Sequence, residues 1–323
     1  KADGFFNLIA EKTLSFATTK TRLLSCIVFI SGVGSAFLVN DAVVLIFTPI
    51  IISICGRIRS NPVPYLIAEI LSSNIGSAMT ITGNPQNMLI GLSSGISYLD
   101  FMLHLLPVSF LGMLLTIAVV KLIYRKEFSD KTILSYSMES DYKLKDMYAS
   151  TIIFILLVIG FFLGKILDLP ICVIALAAAS LIILFSKHKP AALIKEVDWV
   201  LLWFFAALFI VVGAVRYTGL LDSLLAIPLK DDFAGLLSIH GISLVMSQIL
   251  SNVPYTVLML PLMETVNSET LWLALASAST LAGNATIIGA MANIIVIESA
   301  DKYGINLTVL SFILSIVVLL IVG

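Results

Sequence analysis

The chain is 323 residues long, 59% apolar and 12% charged, with a mean hydropathy of +1.07. Soluble domains are about a quarter charged, so this composition excludes a soluble domain, a disordered chain, a coiled coil and a nucleic-acid-binding module, and leaves an all-α polytopic membrane protein. Lys plus Arg (19) against Asp plus Glu (20) give a net charge of −1, and Cys26, Cys55 and Cys172 are too scattered for a disulfide framework or a metal cluster.

The first apolar run, 21–56, is interrupted by Gly32, Gly34, Asn40 and Asp41, and is too long for one span. Segment 63–98 is broken by Gly83-Asn84-Pro85-Gln86-Asn87. A simple span follows at 102–124, long enough to cross about 30 Å of hydrocarbon. The polar stretch 125–147 reads as a cytoplasmic linker. Further simple spans are expected at 148–167, 170–186 and 198–215, then an interfacial segment at 217–230. The run 233–266 is broken at Gln248, Ser251, Asn252 and Pro254, and 270–300 at Gly283-Asn284 and Gly289, before a last span at 305–323. Backbone that leaves the helix inside a membrane must be buried in protein or line a watery cavity, because lipid cannot satisfy its N–H and C=O groups. Four such breaks point to a site.

The breaks are related by a repeat. Asn40-Asp41-Ala42 through Pro49 lines up with Asn252-Val253-Pro254 through Pro261, with Asn and Pro nine apart in both. Thr80-Ile81-Thr82-Gly83 through Asn87 lines up with Thr286-Ile287-Ile288-Gly289 through Asn293, keeping Thr, Gly and Asn in register. A weaker match pairs Lys1-Ala2-Asp3-Gly4-Phe5-Phe6 with Arg216-Tyr217-Thr218-Gly219-Leu220-Leu221. Three spans precede that motif in the second half, so three are expected ahead of Lys1. The run 21–56 has basic flanks (Lys12, Lys20 and Arg22; Arg57 and Arg59), whereas 233–266 has acid-rich ones (Asp231 and Asp232; Glu264 and Glu269). By the positive-inside rule each is a re-entrant hairpin, and the two enter from opposite sides. The expectation is therefore two inverted-topology repeats, 1–147 including the linker and 148–323, each with a re-entrant helical hairpin and a broken transmembrane helix.

If such halves pack about a pseudo-two-fold axis, tips and loops meet near the midplane. Half-helix N-termini there suit an anion, and freed carbonyl and amide oxygens suit a coupling cation. The expected substrate-binding residues are Asn40, Thr80, Thr82, Gly83, Asn84, Asn87, Ser251, Asn252, Thr256, Gly283, Asn284, Thr286 and Asn293, with Gln86 among the polar side chains nearby. Asp41 is the expected ion-coupling ligand or proton carrier, since a carboxylate deep in the bilayer is costly and its repeat partner is Val253. It could also cap an arm starting at Ala42. Glu69, in an apolar half-helix, is the second ion-coupling candidate. Neither a phosphate-binding loop nor a zinc or nucleophile-elbow motif is present, so no enzyme activity is expected.

The run Ser73-Asn74-Ile75-Gly76-Ser77-Ala78-Met79 continuing through Thr80 to Asn87 resembles the loop of the ion transporter superfamily, in its arsenite-permease and citrate-permease-like branch. So do Asn40-Asp41-Ala42 with Thr48-Pro49, Ser251-Asn252-Val253-Pro254, and Phe204-Phe205-Ala206 with Gly213 and Thr218-Gly219-Leu220-Leu221-Asp222. The resemblance implies an elevator-type alternating-access cycle and a homodimer. Members carry arsenite or antimonite, carboxylates or sulfate, or exchange Na⁺ for H⁺. Dicarboxylate carriers have Ser-Asn-Thr at both tips, from which this chain departs with Val39-Asn40-Asp41 and Ser251-Asn252-Val253. The expected function is a secondary-active transporter of a small anion, arsenite/antimonite- or carboxylate-type, coupled to H⁺ or Na⁺, in the plasma (inner) membrane. Alternatives are a Na⁺/H⁺ antiporter of the same fold, a passive anion channel, or a scaffold that binds without flux. The expected partners are the anion, the coupling H⁺ or Na⁺ and the lipid bilayer, with no cofactor beyond such an ion and no nucleic acid.

Overall fold

The computed structural model describes residues 17–129, 148–186, 189–195, 197, 199–218, 229–266 and 268–307. The weak motif at 1–6, most of the linker, the Gly219 to Asp222 motif and most of the span at 305–323 lie outside the described residues. Among the described residues the secondary structure is helical, with no strand.

Two compact units form. One contains α7 (Tyr148–Leu167), α8 (Ile171–Phe185), α9 (Pro190–Lys195) and α10 (Trp199–Tyr217), together with the first residues of α5 (Tyr98–Ile123). Within it Tyr98 stacks on Phe161 and meets Phe162 edge-on, both at 5.3 Å between centroids. The other contains α1 (Lys20–Phe37), α2 (Asn40–Arg57), α3 (Val63–Ser77), α4 (Pro85–Ser94), the rest of α5, α6 (Arg125–Phe128), α11 (Phe233–Leu250), α12 (Asn252–Val266), α13 (Glu269–Ala282) and α14 (Met291–Asp301). By length and composition α1, α2, α5, α7 and α11 can each cross a membrane.

Helix starts follow from local chemistry. The Thr19, Asn84, Asp232 and Ser268 side chains accept from the backbone N–H three residues on, capping α1, α4, α11 and α13. Pro85 follows Asn84 at a helix position where its missing N–H costs nothing. α4 stops at Gly95, whose φ of 68° is left-handed. Pro49 and Pro261 sit inside α2 and α12, nine residues after Asn40 and Asn252.

In the second unit, α3 and α13 are buried on all sides, from Pro64 to Ser77 and from Leu271 to Ala282, as expected of central helices. α1 packs on α3, α2 on α3, and α1 on α2; in the same order, α11 packs on α13, α12 on α13, and α11 on α12. The groups are joined by two further matched contacts, α2 with α14 and α12 with α4. Each of these packing pairs therefore has a counterpart in the other group. The α1–α3 contact depends on glycine: a Cβ on Gly76 would overlap the backbone of Gly32, and small residues let membrane helices approach this closely. At one end of the unit Glu127 of α6 pairs with Lys20 at 2.9 Å and accepts from Ser60 Oγ at 2.9 Å.

Candidate functional site

All four expected breaks lie in this second unit. α1 ends at Phe37, Leu38 is extended, and α2 begins at Asn40. The interruption therefore falls just before Asn40-Asp41, and the N-cap is Val39, which makes no side-chain cap bond. Asp41 thus lies inside the first turn of α2 and does not cap an arm starting at Ala42. There its charge is favoured by the helix dipole. The matching turn between α11 and α12 is Ser251, with φ 69° and ψ 160°, a region that only glycine enters without strain. Residues 78–84 connect α3 to α4, and 283–290 connect α13 to α14 through a 3₁₀ turn at Ile287–Gly289.

These interruptions come together in two buried amide clusters. In the first, Asn74 near the end of α3 accepts from Asn40 Nδ2 at 3.0 Å. Its own Nδ2 donates to Asn284 Oδ1 at 2.8 Å and Asn293 Oδ1 at 2.9 Å. Asn293 Nδ2 in turn donates to the Gly283 and Thr286 carbonyls at 2.7 and 2.9 Å. One side chain of the first half thus joins a hairpin tip of its own half to the unwound loop of the other. In the second cluster, Thr280 near the end of α13 accepts from Asn84 Nδ2 at 3.1 Å and Gln86 Nε2 at 3.3 Å, and donates to Asn87 Oδ1 at 3.3 Å. Asn84 also donates to Ser77 Oγ at 2.9 Å, and Asn87 Nδ2 holds the Ser77, Ala78 and Thr80 carbonyls. Asn74 and Thr280 each lie six residues before the repeated threonine, Thr80 or Thr286. Equivalent positions therefore reach across to the opposite half's loop.

Each loop is also tied to its own hairpin. Asn40 N–H donates to the Gly83 carbonyl at 3.0 Å. The Asn252 amide, oriented to donate, reaches the Ser279 and Gly289 carbonyls at 3.0 Å. Thr80 Oγ1 donates to the Ala36 carbonyl, and Thr82 Oγ1 reaches the same oxygen at 3.4 Å. The counterpart is Thr286 Oγ1 donating to Gln248 Oε1 at 2.7 Å, while Gln248 Nε2 donates to the Ala282 carbonyl at 2.8 Å. Gly83 and Gly289 have no room for a side chain: a Cβ would meet Ser77 backbone at the one and Gly283 backbone at the other.

Asn40, Thr80, Thr82, Gly83, Asn84, Asn87, Asn252, Gly283, Asn284, Thr286 and Asn293 accordingly belong to the bonded assembly. Ser251 forms the turn beside it, and Thr256 is buried with its Oγ1 unpartnered. Asp41 is half-buried beside Asn40. Glu69 is fully buried further down α3, where Thr48 Oγ1 donates to its Oε2 at 3.0 Å. The expected site set omitted Asn74, Thr280, Gln248 and Ser77. The repeat offset that pairs Thr80 with Thr286 also pairs Asn74 with Thr280, and that signal was available. Among the described residues no Lys or Arg is buried. Positive potential at the clusters comes from helix N-termini, and those of α2 and α14 carry no side-chain cap.

The citrate transporter family matches residues 1–281 of the chain. A 46 kDa membrane protein of Mycobacterium leprae is 28% identical over 301 residues, covering 88% of this chain and 70% of that protein. An uncharacterized transporter of Mycobacterium tuberculosis is 29% identical over 300 residues, with the same two coverages of 88% and 70%. The mouse P protein is 26% identical over 410 residues, covering 96% of this chain and 49% of that protein.

Proposed function

Because the chain belongs to the citrate transporter family of membrane transporters, we propose that it is a secondary-active carrier of a small anion, carboxylate-type in preference to arsenite- or antimonite-type, coupled to H⁺ or Na⁺. The observation that carries this reading is the bridge from Asn74 to Asn40, Asn284 and Asn293. It links both halves beside two helix N-termini that no side chain caps. The helix dipole there favours an anion, while amide and carbonyl oxygens around them can hold a cation. Anion binding competes for the same amides, so occupancy changes how the halves are bonded.

The matched packing of α1–α4 and α11–α14 supports two inverted repeats, with α1–α2 and α11–α12 as re-entrant hairpins opening to opposite faces. The unit that carries both clusters is the moving body in an alternating-access cycle. Asp41 and Glu69 are the groups that answer to the coupling ion. A homodimer in the inner membrane with 125–147 on the cytoplasmic side completes the reading.

Purified protein in proteoliposomes tests it with radiolabelled citrate under imposed H⁺ or Na⁺ gradients. Saturable uptake driven by one of these gradients is expected. Asp41→Asn should reduce it by about 10-fold or more, as loss of a charge-assisted contact of about 1.5–3 kcal/mol implies. Flux that ignores both gradients and does not saturate would identify a channel, and Na⁺/H⁺ exchange without anion movement would identify an antiporter.

A further inference from the structure

The two halves make the same helix contact with different chemistry. Where α2 meets α3, a buried threonine and a buried carboxyl face each other: Thr48 Oγ1 donates to Glu69 Oε2 at 3.0 Å. Carrying the repeat register forward, Thr48 corresponds to Leu260 on α12 and Glu69 to Leu275 on α13. The corresponding positions of the second half are thus two leucines, and the shared helix packing does not by itself call for a polar pair. The other oxygen, Glu69 Oε1, is buried and has no hydrogen-bond partner.

Ionisable groups on the elements packed against α3 are Lys20, Arg22 and Cys26 on α1, Asp41, Cys55 and Arg57 on α2, Arg125, Lys126 and Glu127 on α6, Glu269 on α13, and Glu298 and Asp301 on α14; α3 itself adds Tyr65. None of them bonds to Glu69, whose only side-chain partner among the described residues is Thr48. A buried carboxyl with no counter-charge is costly to ionise, so each time it ionises the charge is relieved by taking up a cation or a proton. A metal cation needs a shell of several oxygens, and the side-chain oxygen that the described residues bring to the Glu69 carboxyl is Thr48 Oγ1, whose hydroxyl is donating to it. A proton needs one acceptor, and one bare oxygen is what the site offers.

We propose that Glu69, with the Thr48 hydroxyl positioned against it, binds the coupling proton at a place apart from the amide clusters. Glu69 lies five residues before Asn74, about 7.5 Å down the same helix. Protonation by hydronium breaks one O–H bond there and forms one at the carboxyl, leaving water, and transfer back to water on release reverses both changes. Thr48 is a positioning residue, because it belongs to α2 and so makes the carboxyl's environment depend on how the first hairpin sits on α3.

This inference rests on the transport reading, and two assays on the full chain separate the two. Citrate counterflow, with no gradient imposed, reports binding and exchange; accumulation driven by a pH gradient reports proton coupling. Wild type should show both. Glu69→Gln should keep counterflow within about 2-fold and lose its pH dependence, while accumulation falls by about 10-fold or more. Glu69→Asp should recover part of the accumulation, and Thr48→Val should keep accumulation but shift its pH profile. Accumulation by Glu69→Gln, or wild-type accumulation under a Na⁺ gradient alone, would overturn the assignment and leave the transport reading standing. Loss of counterflow in folded Glu69→Gln and Glu69→Asp alike would overturn it in favour of a role at the substrate. Absence of counterflow in wild type would remove the transport reading itself.

Discussion

Replacing Asn74 with Ala should abolish gradient-driven uptake, lowering it by about 100-fold or more, and should destabilise the folded protein by about 3 kcal/mol. Asn74 makes three bonds at once, to Asn40, Asn284 and Asn293. Truncation leaves a buried donor and two buried acceptors without partners, at about 1–3 kcal/mol each. The Nδ2 groups of Asn293 and Asn284 keep their own bonds to the Gly283, Thr286 and Leu71 carbonyls, so both side chains stay in place and the loss is confined to the orphaned atoms. Thermal denaturation in detergent should register a fall of about 6 °C or more, and flux assays on the folded fraction should show the transport defect separately. A double-mutant cycle with Asn293→Ala isolates the cross-half bond: since both variants remove the same contact, the combined loss should fall short of the sum. Strict additivity, or an Asn74→Ala variant with normal uptake, would detach this cluster from function.

Gly76→Ala should be nearly as damaging, through packing alone. A Cβ there would overlap the Gly32 carbonyl group and Cα, and backbone cannot rotate aside as a side chain can. α1 and α3 must separate, at a cost of about 3 kcal/mol or more. Gly32→Ala is the control. Its nearest obstacle is the flexible end of Met113, with the Ser72 carbonyl at 3.3 Å, so the loss should stay near 1 kcal/mol. Equal melting temperatures for the two variants would show that α1 and α3 are not held at glycine contact.

Much of this architecture was legible because helix breaks need particular residues. Asn40, Gly83-Asn84-Pro85, Ser251-Asn252 and Gly283 each stand at or beside a helix end, and the same requirement in both halves makes the repeat visible. What the sequence hid lies inside continuous helices. Asn74, Thr280 and Thr48 break nothing and sit inside helices that are apolar on average, so hydropathy passes over them. The pairing was hidden as well: spacing assembled one pool of Asn and Thr residues, whereas the coordinates sort them into an Asn74 cluster and a Thr280 cluster. Gln248 was legible only as a break, because its role depends on a long side chain reaching the neighbouring loop, where the first half uses the Ala36 carbonyl. Asp41 shows the reverse case, a carboxylate that stands out in the sequence but whose capping position was off by a turn boundary, since Val39 and not Asp41 precedes the helix.

A cryo-EM map of the full-length protein bound to its transported anion would locate the substrate relative to the two amide clusters. Ligand density is expected among Asn40, Asn74, Asn284 and Asn293, against the first turns of α2 and α14, with the amide bonds between the halves rearranged around it. Ligand density remote from both clusters, or hairpins α1–α2 and α11–α12 opening to the same membrane face, would contradict it.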